Sequence, residues 1–344
     1  MKYRTYPNST IRVSEVGFGL WTTSTGWWGQ KSDDEAVALL REAYDLGVTF
    51  FDAADTYGNG RSEEQLAKAF GERRERVVYA TKFGYDISSQ NANERRGQFE
   101  LAQDFSPPFV RRALEASLRR LQTDYVDIYQ MHNARMAQVE DDALWELLED
   151  LKREGKIRTY GVALGPAIGW LFEGVDAVVE RNCPSLQIIW SALEQFPGNA
   201  QIRAAYDAHA QTGFMIRVPH SSGMLEGHYT QETVFAENDH RRHRPRSWLL
   251  NGIKKVEQLR FLELPDRTLG QAAIQWLLKE PRVMTVLPNI YDSAQLREFA
   301  SAPEAPPLSD EDMTTIEQLY ARNFGIEEEP MSFKGTMKRD AVNA

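Results

Sequence analysis

Apolar and polar positions along the chain change period repeatedly, and the changes mark out elements. An opening from about Lys2 to Val13, broken at Pro7-Asn8-Ser9, reads as a small β-hairpin. Short apolar runs then alternate with stretches of helical period. Val16 to Leu20 predicts a strand, and Asp33 to Leu46 a helix with Asp33 as its cap and Gly47 as its stop. Strand Thr49 to Ala53 and helix Ser62 to Phe70 follow, then strand Val77 to Lys82 and helix Pro108 to Leu121. Strand Tyr125 to Met131 and helix Asp141 to Glu154 come next, then strand Ile157 to Ala163 and a helix within Pro166 to Glu180. Strand Leu186 to Trp190, helix Asn199 to Thr212 and strand Phe214 to Val218 continue the order. Helices near Arg246 to Leu262 and Thr268 to Lys279 precede strand Val283 to Leu287, and helix Ser293 to Ala300 closes the series.

Eight strand–helix units result, with strands apolar enough to be covered on both faces. Strict alternation predicts parallel strands joined by right-handed crossovers. Eight units favour closure, so the expected fold is α/β: a single (β/α)8 TIM barrel over residues 1–344, with an N-terminal β-hairpin. Two polar segments interrupt the rhythm, Gly84 to Ser106 and Gly223 to Arg246. Both follow strands, which places them as extended loops on the C-terminal face, where such barrels build active sites. Residues 324–344 read as an irregular tail.

Composition narrows the partners. At 42% hydrophobic and 26% charged the 344 residues are those of an ordinary globular protein. A net charge of -10 disfavours nucleic acid and anionic membrane surfaces. The single cysteine, Cys183, excludes an intrachain disulfide and a cysteine-based zinc cluster, and its apolar neighbourhood reads as an inert thiol. The opening MKYRTYPNST has no apolar run of signal-peptide length, and no segment approaches a membrane span, so a cytoplasmic protein is expected.

The strand ends carry the chemistry. Parallel strands converge at their C-terminal ends, which gather Asp52, Tyr57 just beyond it, Lys82 and His132 at one mouth. A phenol is a weak proton donor at neutral pH, and a lysine cation beside it stabilises the phenolate. The aspartate holds the lysine, and the histidine orients a substrate oxygen. Each residue alone has a structural explanation as a cap or a core histidine. As a set at convergent ends they point to proton transfer at a carbonyl.

These residues lie in the stretches FDAADTYGNG, ATK and YQMH. With GKIRTYGV, Leu186-Gln187, RVPHSSGMLEG and VLPNIYDSAQLREF, they make the sequence resemble the aldo-keto reductase family over nearly its whole length. The resemblance implies a catalytic set of Asp52, Tyr57, Lys82 and His132. It implies NADPH or NADH as cofactor, hydride transfer to an aldehyde or ketone (or from the alcohol, a sugar or other polar molecule), and Tyr57 as the acid/base. It assigns Gln187 to the carboxamide and Trp190 to stacking on the nicotinamide. Gly19 and Trp21, and Arg217, Pro219, His220, Ser221, Gly223, Leu225 and Gly227, would line the cofactor. Pro288, Asn289, Tyr291 and Gln295 would meet the adenosine end, where a helix N-terminus is an anion site. Trp27 and Trp28 are expected to wall the substrate pocket.

The sequence departs from the family pattern at three places. Ala163 and Leu164 stand where serine and asparagine are usual. Asn289 to Asp292 lacks the cation expected for a 2'-phosphate, and Asp292 suits a ribose hydroxyl, making NADH, or use of both NAD and NADP, more plausible here than in a typical member of the family. Arg217 and His220 replace a tyrosine and a leucine, and an arginine there suits a phosphate or carboxylate. The run HRRHRPR, with Arg241, Arg242, Arg244 and Arg246, reads first as a solvated loop and second as an anion site. His228, His240 and His243 share that loop without an acidic partner at metal spacing, so no metal is expected. Two other readings stay open: a lyase or isomerase using Tyr57 and Lys82 without net hydride turnover, and a cofactor-binding redox sensor, which the retained tetrad disfavours.

Overall fold

The structure is a computed structural model that describes residues 1–88, 100–165, 169–237, 239–328 and 335–337. The opening hairpin pairs β1 (Tyr3–Thr5) with β2 (Arg12–Ser14) in antiparallel register. Eight parallel strands follow: β3 (Phe18–Gly19), β4 (Phe50–Asp52), β5 (Val78–Phe83), β6 (Val126–His132), β7 (Ile157–Ala163), β8 (Ser185–Ile189), β9 (Gly213–Arg217) and β10 (Val283–Leu287). They lie side by side in chain order. The ring is joined where Gly17 N–H donates to Val286 O (2.9 Å) and Val286 N–H to Glu15 O (2.9 Å), bridging Val16 to Val286. At Gly17 an added Cβ would stand 2.8 Å from the Phe50 ring, so only glycine lets the seam come this close. The expected barrel is present.

Helices cover the outside. The chain begins them with α1 (Trp21–Ser24), a single turn where only a loop was expected, and α2 (Asp33–Asp45). The cap of α2 is Ser32 rather than Asp33: Ser32 and Glu35 form a reciprocal capping box, while Asp33 takes Arg61 (2.7 Å) and Lys68 (2.9 Å). Next come α3 (Arg61–Phe70), α4 (Pro107–Leu121), the short α5 (Met136–Val139), α6 (Asp142–Arg153), α7 (Leu171–Val179) and α8 (Gly198–Asp207). The last ends before the predicted Thr212, because the chain turns left-handed at His209. Then α9 (Arg246–Glu257) breaks ahead of a 3-10 turn at Arg260–Leu262, followed by α10 (Leu269–Leu278) and α11 (Ser293–Ala300). A further helix, α12 (Asp310–Ala321), lies beyond the predicted series and starts at a capping box of Ser309 and Asp312. Part of the expected loop before α4 (89–99), the start of the segment before α7 (166–168) and most of the tail (329–334, 338–344) lie outside the described residues.

Two apolar regions form. The larger lies between strands and helices. The smaller fills the lower barrel: Phe50, Val78, Ala80, Ile128, Met215 and Met284 project inward and meet Tyr6, Ile11 and Val13 of the hairpin, which plugs the bottom. Arg4 fastens the plug by donating to Glu280 O (2.7 Å) and Val283 O (2.6 Å). Among the described residues the hairpin thus covers the N-terminal end of the barrel and leaves the C-terminal end uncovered by it. Among the described residues no helix is long and apolar enough to cross a membrane, and no group of three or more His, Cys, Asp or Glu could hold a metal ion.

Candidate active site

A β-strand sends alternate side chains to opposite faces. The inward phase that puts Phe50, Val78, Ala80 and Ile128 in the lower barrel carries on two residues at a time to Asp52, Lys82, Gln130 and His132. On β8 and β9 the same phase delivers Gln187 and Arg217. On β4, β5, β6 and β9 an apolar floor therefore changes to a polar ceiling within one inward step, and the polar groups meet without their backbones having to bend.

Lys82, fully buried, is the hub. Its Nζ donates to Asp52 Oδ2 (2.7 Å), to Ala53 O (2.7 Å) and to Tyr57 Oη (3.2 Å). Burial disfavours the ammonium, yet the charge of Asp52 and its contact with Tyr57 outweigh that cost, and its pKa lies above the ordinary lysine value. All three ammonium protons are thus committed. Since Tyr57 Oη accepts the third, its own O–H must point elsewhere, and the half-buried phenol faces the open mouth. The ring of His132 stands perpendicular to that of Tyr57 with centroids 6.0 Å apart. The four residues expected to converge are brought together.

Tyr57 is positioned by its loop. Gly58, Asn59 and Gly60 are all left-handed, and an added Cβ on Gly58 would lie 2.5 Å from Ser24 O. Ser62 ties the loop back through its Oγ to Ala54 O (2.9 Å) at the start of α3. Gly58-Asn59-Gly60 is thus a tight turn with a fixed hand.

Sequence reading missed Gln130. Its Nε2 and that of Gln187 each donate to Asp52 Oδ1 (3.1 Å in both cases), so the carboxylate is held from both sides while its other oxygen serves Lys82. The signal was available: Gln130 lies two residues before His132 on the same strand, hence on the same face. Gln187 keeps a buried Oε1 without a hydrogen-bond partner, directed from the same rung.

The loop after β9 is built for close approach. Val218, Ser221, Ser222 and Gly223 are all left-handed, an arrangement costing about 1 kcal/mol or more for each non-glycine. Ser191 Oγ to Ser221 Oγ (2.7 Å) and Tyr229 Oη to Ser222 O (2.7 Å) hold it. Leu225 is buried beneath, and Gly227 O accepts from Arg260 (3.0 Å). Pro219 is buried alongside. Gly19 ends β3 beside Asp52 of β4, and Trp21 opens α1 just beyond.

At the far end the Tyr291 ring lies tilted against that of Trp28, centroids 4.8 Å apart, and its buried hydroxyl has no partner among the described residues. Asp292 caps α11 by accepting from Gln295 N–H (2.9 Å). Gln295 donates to Glu226 Oε2 (2.9 Å), and burial pushes the Glu226 carboxyl up to about 7. Pro288 and Asn289 lead from β10 into this corner.

Three expected site residues are used differently. Trp190 lies three residues past the inward Gln187, so it faces outward: its ring packs 4.6 Å from Trp276 of α10, and its Nε1 donates to Asn199 Oδ1 (2.8 Å). His220 is turned into the helix layer, against Phe299 and Gly270 O (3.0 Å), and burial lowers its pKa to about 4. Trp28 belongs to an aromatic knot with Trp21, His240 and Tyr291, with the Arg241 guanidinium 4.2 Å from its ring. Trp27 lies half-buried in the turn beside it.

The arginine run is not merely solvated. Arg241 pairs with Asp239 and donates to Tyr229 Oη (2.6 Å), latching the loop after β9 to Trp28. Arg246 donates to Thr233 O (3.0 Å). Cys183 is buried, and its thiol is pushed up to about 12 by burial.

A model of the Aldo/keto reductase family matches residues 15–321. The oxidoreductase YqkF of Bacillus subtilis is 29% identical over 321 residues, covering 92% of this chain and 96% of that protein. The NADP(+) aldo-keto reductase yakc of Schizosaccharomyces pombe is 28% identical over 275 residues, 78% of this chain and 77% of the relative. The holo form of an aldo-keto reductase from Bacillus halodurans superposes with a TM-score of 0.73 at 28% identity, covering 93% of this chain and 96% of that one.

Proposed function

The chain belongs to the aldo/keto reductase family and is an NAD(P)H-dependent oxidoreductase, and from that premise we propose that it reduces an aldehyde or ketone with Tyr57 as the proton donor. The observation that carries the reading is the threefold donation of Lys82, which leaves the Tyr57 O–H free to face the mouth.

Two features of this chain fit a nicotinamide dinucleotide. The buried, unpartnered Oε1 of Gln187 suits a carboxamide N–H. The left-handed run at Ser221 to Gly223 turns small residues and backbone toward one concavity, as phosphate cradles do. When bound, the cofactor supplies the hydride that the carbonyl carbon accepts. The protein's part is the proton. Tyr57 gives its O–H to the carbonyl oxygen as negative charge develops there, and the phenolate left behind is stabilised by the Lys82 ammonium. Asp52 keeps that ammonium in place, and Gln130 and Gln187 keep Asp52 in place. His132 flanks the same oxygen from the neighbouring strand end. In the direction of alcohol oxidation the same groups act in reverse.

Features of the dinucleotide end support NADH. Two cations near it are paired among the described residues, Arg241 with Asp239 and Arg297 with Glu42 (2.8 Å). The groups left there, Glu226, Asp292 and Tyr291, are acceptors or neutral hydroxyls that suit a ribose diol and oppose a 2'-phosphate. The test is titration of purified protein with NADH and NADPH, following tryptophan quenching, for which Trp21 and Trp28 rather than the outward Trp190 are the reporters. Tighter NADH binding, together with NADH-dependent carbonyl reduction lost in Tyr57→Phe, is expected. Binding of neither nucleotide would sink the reading.

A further inference from the structure

Arg217 ends β9 in the inward phase, two residues above Met215 of the barrel floor. Its Nη2 donates to Leu164 O (2.6 Å) and to Gly165 O, just past the end of β7. To reach them the side chain crosses the end of β8 and comes to rest beside the rung formed by His132, Ala163 and Gln187. Its buried Nε has no hydrogen-bond partner. Among the described residues no carboxylate pairs with it, whereas Arg74, Arg120 and Arg4 are paired with Asp127, Glu63 and Glu15. The charged and ionisable groups that act on it are Tyr57, Asp52 and Tyr85, and Asp52 is already neutralised by Lys82. Burial lowers its pKa, as it must for a cation held by neutral carbonyls alone.

A guanidinium in low dielectric without a counter-charge is unfavourable, and the deficit is removed when an anion arrives. Its planar fork matches the two oxygens of a carboxylate or phosphate. The two carbonyls hold the fork in a fixed place beside His132, so an anion bound there puts a neighbouring carbonyl carbon at the Tyr57 mouth. We propose that Arg217 recognises an oxyanion on the substrate, and that the substrate class is an aldehyde or ketone bearing a carboxylate or phosphate near the reacting carbon. This inference rests on the carbonyl-reductase reading above.

The test separates the two. Calorimetric binding to the nucleotide-saturated full-length protein is measured for matched pairs, 2-butanone against pyruvate and glyceraldehyde against its 3-phosphate. The same is done in Arg217→Gln and Arg217→Lys, with turnover followed in parallel. In the unaltered protein the anionic member of at least one pair binds tighter, on the order of tenfold or more. Arg217→Gln collapses that ratio toward one, and Arg217→Lys restores part of it. Which pair responds tells carboxylate from phosphate. Equal binding of both members, or a ratio that survives in Arg217→Gln, overturns the inference. So does a loss confined to nucleotide affinity, which would put Arg217 on the cofactor. Selective anion binding with no turnover of any carbonyl would instead overturn the reductase reading and leave the anion site standing.

Discussion

At the scale of single residues, the site is a chain of hydrogen bonds running from Gln130 and Gln187 through Asp52 and Lys82 to Tyr57. On the proposed reading, replacing Tyr57 with phenylalanine removes the transferable proton and is expected to lower kcat on the order of 10²–10⁴-fold while tryptophan quenching by nucleotide persists; steady-state kinetics beside the titration checks this. A second expectation concerns Glu226. Its folded pKa of about 7 lies above the ordinary value, so the folded state holds a proton that the unfolded state has released. The contribution is therefore present below the unfolded value and falls away as pH rises from about 4.5 to about 7. Thermal melts across pH 5 to 8 should show that loss, and Glu226→Gln should flatten the profile. If both proteins give the same profile, Glu226 is not the titrating group. Asp52, Tyr57, Lys82 and His132 were legible because their order and spacing are distinctive. Gln130 was not, since an amide in an apolar strand draws notice only when strand phase is followed inward.

At the scale of elements, apolar period placed the strands to within a residue or two, and end chemistry decided the rest. Helix α12 escaped because its buried stripe is thin, with Ile316 and Leu319 fully covered, although the Ser309–Asp312 capping box was there to be read. Ser309→Ala should cost about 1 kcal/mol, read as a lowered urea midpoint with unchanged slope. Trp190 shows the opposite lesson. An aromatic at a strand end reads as a pocket wall, yet one residue of phase sends it to α10. The thiol of Cys183 is set by its element too. With a pKa of about 12 it should resist alkylation at pH 8 in the folded protein and react fully in denaturant, as mass spectrometry would show.

At the scale of the molecule, the barrel is sealed twice. The Val16 to Val286 bridge closes its circumference, and the hairpin closes its floor. Ile11 is 1% exposed inside that floor. Ile11→Asp buries an unpaired carboxylate and should destabilise by several kcal/mol, on the order of the cost of desolvating such a group. Calorimetry would detect it as a large fall in Tm, and an unchanged Tm would mean that the hairpin is not a plug. Sealing the floor bears on the proposed function: among the described residues it leaves the end of the barrel where Tyr57, His132 and Arg217 stand as the side open to reactants.

Sequence by itself determined the (β/α)8 order and the polar groups at and just beyond three strand ends, because both are periodic or local and period survives without coordinates. Tertiary structure alone decided how the polar groups divide their bonds. That Lys82 spends three protons inward, that Asp52 is shared by two glutamines, that Arg241 is consumed by Asp239 and that Arg217 reaches across β8 to carbonyls without a counter-charge all depend on distances between residues far apart in the chain. A hydrogen bond has a reach of about 3 Å, and nothing in the order of residues encodes a separation that short.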